Sequence, residues 1–185
     1  MSSACMPTAC GQPCNTMSES GWSLLRPRRR IVRTGPGRFA FRLPEGERSL
    51  LESLLPNLRQ LVEGGDPSTR RLFPMAYPDD PQKEREYQEL MRSDLVASRL
   101  AAIELVERTI HDDTIDVAGL ERWMEAINSL RLVIGTRLDV TEEIPELHEG
   151  DPDAPAYAVY DYLGWLLEQA VNAISADLPD RPSER

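Results

Sequence analysis

The chain has 185 residues and a mass of 20.9 kDa, with 41% hydrophobic and 28% charged residues and a net charge of −10 at pH 7. That length and balance predict one soluble globular domain able to bury a proper core. No apolar run approaches the ~18–20 residues of a membrane span. The N-terminus also lacks the basic and apolar regions of a signal peptide, so a cytoplasmic protein with no membrane contact is expected.

The first 21 residues read as a flexible tail, followed by a domain over 22–176 and a polar tail over 177–185. All three cysteines, Cys5, Cys10 and Cys14, fall in that first tail, among Ser, Pro and Gly residues that build no core. Exposed thiols in a reducing compartment point to a redox sensor, since transient cytosolic disulfides are usually catalytic or sensing. Cys5–Cys10 and Cys10–Cys14 are both closable in a mobile backbone, and loops so short make poor structural staples. Zinc would need four ligands, and the histidines, His111 and His148, lie far along the chain, so no metal or other cofactor is expected. The competing reading is an inert leader. Met17 is a second candidate start, and translation from it would remove every cysteine.

Charge is divided along the chain. Residues 1–42 hold seven arginines against Glu19, for +6, and the remainder carries −16. Arg28 to Val32 and Arg38 to Leu43 flank Thr34-Gly35-Pro36-Gly37, and Phe39, Phe41 and Leu43 alternate with Arg38, Ala40 and Arg42. This pattern predicts a β-hairpin with aromatics on one face and an arginine ladder largely on the other. Arg28, Arg29, Arg30, Arg33, Arg38 and Arg42 are therefore candidate nucleic-acid contacts; the alternative is a solvated basic edge that balances an acidic body.

Helical spacing follows. Leu50, Leu51, Leu54, Leu55, Leu58, Leu61 and Val62 stripe a helix over Glu45–Glu63 that Gly64-Gly65 ends, and Pro56 predicts a kink or break in it. A short helical turn around Arg70–Phe73 and a Pro/Asp loop lead to a second helix over Gln82–Ile110, with Leu90, Leu95, Leu100, Ile103, Leu105, Val106 and Ile110 inward. Thr114–Val117 reads as an extended lead-in capped by Asp116. The third helix then carries Leu120, Trp123, Met124, Ile127, Leu130, Val133, Ile134 and Leu138 as core rather than as a cofactor site. Thr141–Pro155 is an acidic loop, and Ala156–Ile174 forms a fourth helix presenting Tyr157, Tyr160, Leu163, Leu166, Leu167 and Val171. The expected fold is mainly α: an N-terminal two-stranded hairpin, then about four helices packed as a single-domain bundle.

The chain contains no G-x-S-x-G, H-E-x-x-H, G-x-x-x-x-G-K-[ST] or G-x-G-x-x-G, and its many carboxylates carry no positional pattern, so no enzyme and no small-molecule substrate are expected. It has neither a helix-turn-helix with a basic recognition helix nor a zinc finger.

The segment from Trp123 to Val140 (WMEAINSLRLVIGTRLDV) resembles the signature of an actinobacterial family known as a domain of unknown function, DUF2017. GRFAFRLPEGERSLLESLL (Gly37–Leu55), DPSTRRLFPMAYPDD (Asp66–Asp80) and YDYLGWLLEQ (Tyr160–Gln169) are similar to its other blocks in the same order, so the likeness spans about 28–174. At least one branch of that family is described as redox-responsive transcription regulators of oxidative stress, which sense oxidants through an intramolecular cysteine pair and raise expression of cysteine-biosynthesis genes. The resemblance implies that Cys5 and Cys10 are the pair here, with Cys14 an alternative partner. It implies contact with DNA, or with a sigma factor or RNA polymerase, and a homo-oligomer is possible. The family's genes often lie beside the Clp-protease adaptor gene, which implies the alternative of a non-enzymatic helical adaptor for proteolysis.

Overall fold

A computed structural model describes residues 29–141 and 151–176. The predicted tails, Cys5, Cys10, Cys14, Arg28 and most of the acidic loop therefore lie outside the described residues. The element order is β1 (Ile31–Gly35), β2 (Arg38–Phe41), α1 (Glu45–Gly64), a 3-10 turn (Pro67–Thr69), α2 (Pro81–Thr109), β3 (Thr114–Asp116), α3 (Val117–Arg137) and α4 (Ala154–Ser175). The mainly helical fold with an N-terminal hairpin is as the sequence predicts. One strand is added: Thr114–Asp116 pairs antiparallel with β2, so the sheet runs β1-β2-β3.

Helix ends follow local chemistry. Asp80 Oδ1 accepts the backbone N–H groups of Gln82 and Lys83 at the start of α2, and Asp116 Oδ1 accepts that of Gly119 at 2.8 Å at the start of α3. Gly65 closes α1 at φ 64°, a conformation with no steric cost for glycine, and donates its N–H to Leu61. Pro56 does not interrupt α1. Its ring is exposed while Leu51, Leu55, Leu58 and Val62 stay buried, and that burial offsets the ~3 kcal/mol that an internal proline costs.

Helix α3 is the centre of the molecule. It packs between α2 and α4, with α1 and the sheet completing the cover. Trp123, fully buried, lies 4.4 Å from the Phe41 ring, and its indole N–H donates to Thr109 Oγ1 at 2.9 Å. Sheet, α2 and α3 thus meet at one side chain. Two inner positions expected from spacing are corrected. Leu90 is 75% exposed, because α2 buries only Ala102, Ile103 and Val106, all in its second half, and Val171 is 47% exposed on α4. Among the described residues no helix is long and apolar enough to cross a membrane.

Candidate partner-binding site

Strand alternation places Phe39 and Phe41 in the core and turns Arg38 and Arg42 outward. On β1 the register decides differently. Ile31 stands opposite Phe41 and Arg33 opposite Phe39, and residues directly opposite share a face. Arg33 therefore starts on the inner side, at the sheet edge, and its Nη1 reaches out to donate to the Ala176 carbonyl at 3.0 Å, at the end of α4. A cation there also complements the helix dipole.

Arg30 is committed to the scaffold. Its Nε and Nη2 donate to the Glu47 carboxylate at 2.7–3.0 Å, and its backbone N–H donates to Gln169 Oε1 at 2.5 Å. Its guanidinium also lies 5.7 Å from the centre of the Trp165 ring, and Tyr162 donates its hydroxyl to Glu47 at 3.0 Å. The hydrogen bond to Glu47 raises the Arg30 pKa. Burial, then the Glu47 charge, push the Tyr162 phenol well above its ordinary range. One carboxylate thereby ties the approach to β1, the first turn of α1 and the middle of α4 together.

The predicted ladder is thus divided. Arg29, Arg38 and Arg42 are exposed and form no ion pair among the described residues, Arg33 is exposed but held to the end of α4, and Arg30 is half-buried against Glu47. Arg38 stands across from Asp116, whose Oδ1 already accepts the Gly119 N–H.

A further basic residue joins this region without having been expected there. Arg48 is only 8% exposed; its Nε donates to the Leu43 carbonyl at 3.1 Å and its Nη1 to the Ile110 carbonyl, joining the end of β2 to the end of α2. The signal lies in the spacing. Arg48 falls one step before Leu51, Leu55, Leu58 and Val62 on the same stripe, and a charge on an inward stripe marks a buried, partnered group. Together with Arg29, Arg30 and Arg42 it borders an open hollow of about 820 Å³, floored by Phe41 and Leu43, with Asp113 the one acid at its edge among the described residues. Arg29, the first of the described residues, lines this hollow.

His111, one of the two histidines considered for a metal, is exposed and pairs with Glu52 at 2.7 Å, and His148 lies outside the described residues. Among the described residues no three His, Cys, Asp or Glu side chains are gathered as a metal site would require.

The family model described as a domain of unknown function, DUF2017, matches residues 28–174. The oxidative stress regulator AosR of Mycobacterium tuberculosis (strain ATCC 25618 / H37Rv) is 28% identical over 213 aligned positions, covering 90% of this chain and 97% of that protein. A putative oxidative stress regulator AosR of Mycobacterium leprae (strain TN) is 26% identical over 216 positions, covering 92% and 100%. Coverage of 90% is more than residues 28–185 can supply, so the similarity runs on into the segment before residue 28. No solved structure matches.

Proposed function

The chain belongs to the DUF2017 family, and from that membership we propose that it is a redox-responsive regulator of the oxidative stress response. Cys5 and Cys10 are its sensing pair, and the basic sheet and hollow are its contact with the transcription machinery. The observation that carries this reading is the similarity to oxidative stress regulators over 90% of the chain.

The chemistry balances with peroxide as the oxidant. One thiolate attacks an oxygen of hydrogen peroxide, breaks the O–O bond and becomes a sulfenic acid, with loss of one water. The second thiolate then attacks that sulfur and expels the hydroxyl group as a second water, leaving a disulfide that thiols reduce. A neighbour a few residues away meets the sulfenic acid at an effective concentration that no second molecule matches. Cys10–Cys14 is the competing pair.

For the contact, a protein surface suits the geometry better than DNA. A phosphate reader gains affinity from many free cations, whereas Arg30 is bound to Glu47, Arg33 is bound to the Ala176 carbonyl, and the body beyond residue 42 carries −16. An acidic segment of a sigma factor or RNA polymerase that also brings an apolar side chain would fit the Phe41–Leu43 floor between Arg29, Arg42 and Arg48.

The test joins both halves. Peptide mapping after mild peroxide should find Cys5–Cys10 closed within one chain. Binding to RNA polymerase holoenzyme should then change with oxidation and weaken in Arg29→Ala/Arg38→Ala/Arg42→Ala. Only intermolecular disulfides, or polymerase binding indifferent to both oxidation and the triple substitution, would overturn the proposal; binding to promoter DNA alone with a steep salt dependence would move the contact to nucleic acid.

A further inference from the structure

The first half of α2 stands apart from the core. None of its residues is buried, yet it is locally well held. The preceding loop folds back on it: Glu84 Oε2 accepts the backbone N–H groups of Ala76 and Tyr77 at 2.9 and 2.8 Å, and the Tyr77 ring meets the Tyr87 ring edge-on at 6.1 Å. Support from the body begins at Arg92, whose guanidinium lies 5.3 Å from the centre of the Phe73 ring. An ordered arm that shows Met75, Tyr77, Leu90 and Met91 to water presents a surface rather than a loose end.

One face of this arm is complementary to itself. Lys83, Tyr87, Leu90 and Asp94 follow one another at intervals of four, three and four residues, the spacing that lines a single helix face against a partner helix. A cation stands at one end, an anion at the other, and two apolar residues lie between them. Turning a second copy antiparallel about a two-fold axis between Tyr87 and Leu90 sets each Tyr87 against the other copy's Leu90, and each Lys83 against the other copy's Asp94. Lys83 is exposed; its pairing with Asp80 at 3.3 Å is a solvent-facing contact of little strength, leaving the ammonium available to a better partner. A small hollow bordered by Tyr77, Tyr87 and Leu90 lies on this face and can take the incoming leucine.

We propose that the α2 arm is a self-association surface, pairing antiparallel with the same arm of a second copy of this chain. A contact confined to one arm falls below the ~1,200 Å² of a stable standard interface, so the dimer should form with Kd of about 1–100 μM.

Sedimentation velocity from about 1 to 300 μM, in reducing buffer so that no intermolecular disulfide contributes, should show a reversible monomer–dimer equilibrium. Leu90→Gln and Leu90→Glu should both be monomeric across that range. Lys83→Asp or Asp94→Lys alone, each placing like charges opposite one another twice, should weaken the dimer at least about tenfold, and the exchange Lys83→Asp/Asp94→Lys should restore it. All four positions lie off the core, so melting curves should match the wild type. A chain monomeric at every concentration, a dimer that survives both Leu90 variants, or a charge exchange without rescue would overturn the proposal.

Discussion

Replacing Arg30 by alanine should separate the scaffold arginines from the surface ones. Its side chain and that of Glu47 are 18% and 22% exposed, and the pair is two-pronged, the arrangement in which a guanidinium fork gains most from a carboxylate. A hydrogen bond to a charged group contributes ~1.5–3 kcal/mol. Loss of the cation near Trp165 removes ~0.5–1 kcal/mol more, and the remaining exposure of the pair reduces both figures. The expected destabilisation is about 2 kcal/mol, or a fall of ~4–8 °C in Tm for a domain of this size. Arg30→Lys keeps the charge but not the fork and should recover less than half. Arg29→Ala, Arg38→Ala and Arg42→Ala should each stay within ~0.5 kcal/mol of wild type. Urea unfolding of the five variants measures this, and a double-mutant cycle with Glu47→Gln should give a coupling of at least ~1 kcal/mol. An Arg30→Ala protein as stable as the three surface variants would refute the assignment. The outcome bears on function too. A partner-binding loss seen on substituting Arg28, Arg29 and Arg30 together would report damage to the fold as much as loss of a contact.

Two further outcomes are expected. Trp123→Ala removes a fully buried ring from between Phe41 and Thr109 and should cost ~3–5 kcal/mol out of a typical ~5–15, giving a partly unfolded or aggregating protein by circular dichroism and sedimentation, whereas Cys5→Ala and Cys10→Ala should not move the melting curve. Tyr162 holds its proton more tightly folded than unfolded, so its contribution is present below about pH 10 and is lost as pH rises beyond that value. Tyr162→Phe should flatten the alkaline fall in urea-derived stability, and an unchanged slope would refute the role of its burial.

What the sequence shows of this fold is what depends on neighbours within a turn or two. Leu51, Leu55, Leu58 and Val62 on α1, and Leu120, Trp123, Ile127, Leu130 and Val133 on α3, lie at intervals that any inward stripe must have, and burial follows them. Where the determinant is a distant partner, spacing is silent. Thr114–Asp116 is too short to declare a period, and its strand exists because β2 lies beside it. Leu90 continues the apolar spacing of α2 but stays exposed, since the helix has outrun the body it packs on.

The arginines show the same division at finer scale. Arg29, Arg30, Arg33, Arg38 and Arg42 are alike as letters in a basic stretch, and composition assigns them one role. Arg30 finds Glu47 on α1 and Gln169 on α4, and Arg33 is placed by its register opposite Phe39. Because facing alternates residue by residue, a shift of one position in that pairing would exchange the sets and take Arg33 off the Phe39 side. The size of the basic surface is therefore fixed by strand register and by two partners on helices, not by the number of arginines. Arg48 adds the converse case. It lies on the inward stripe of α1 and is buried with carbonyl partners at the wall of the hollow, so any acidic side chain bound there would meet a cation already held in place by the fold.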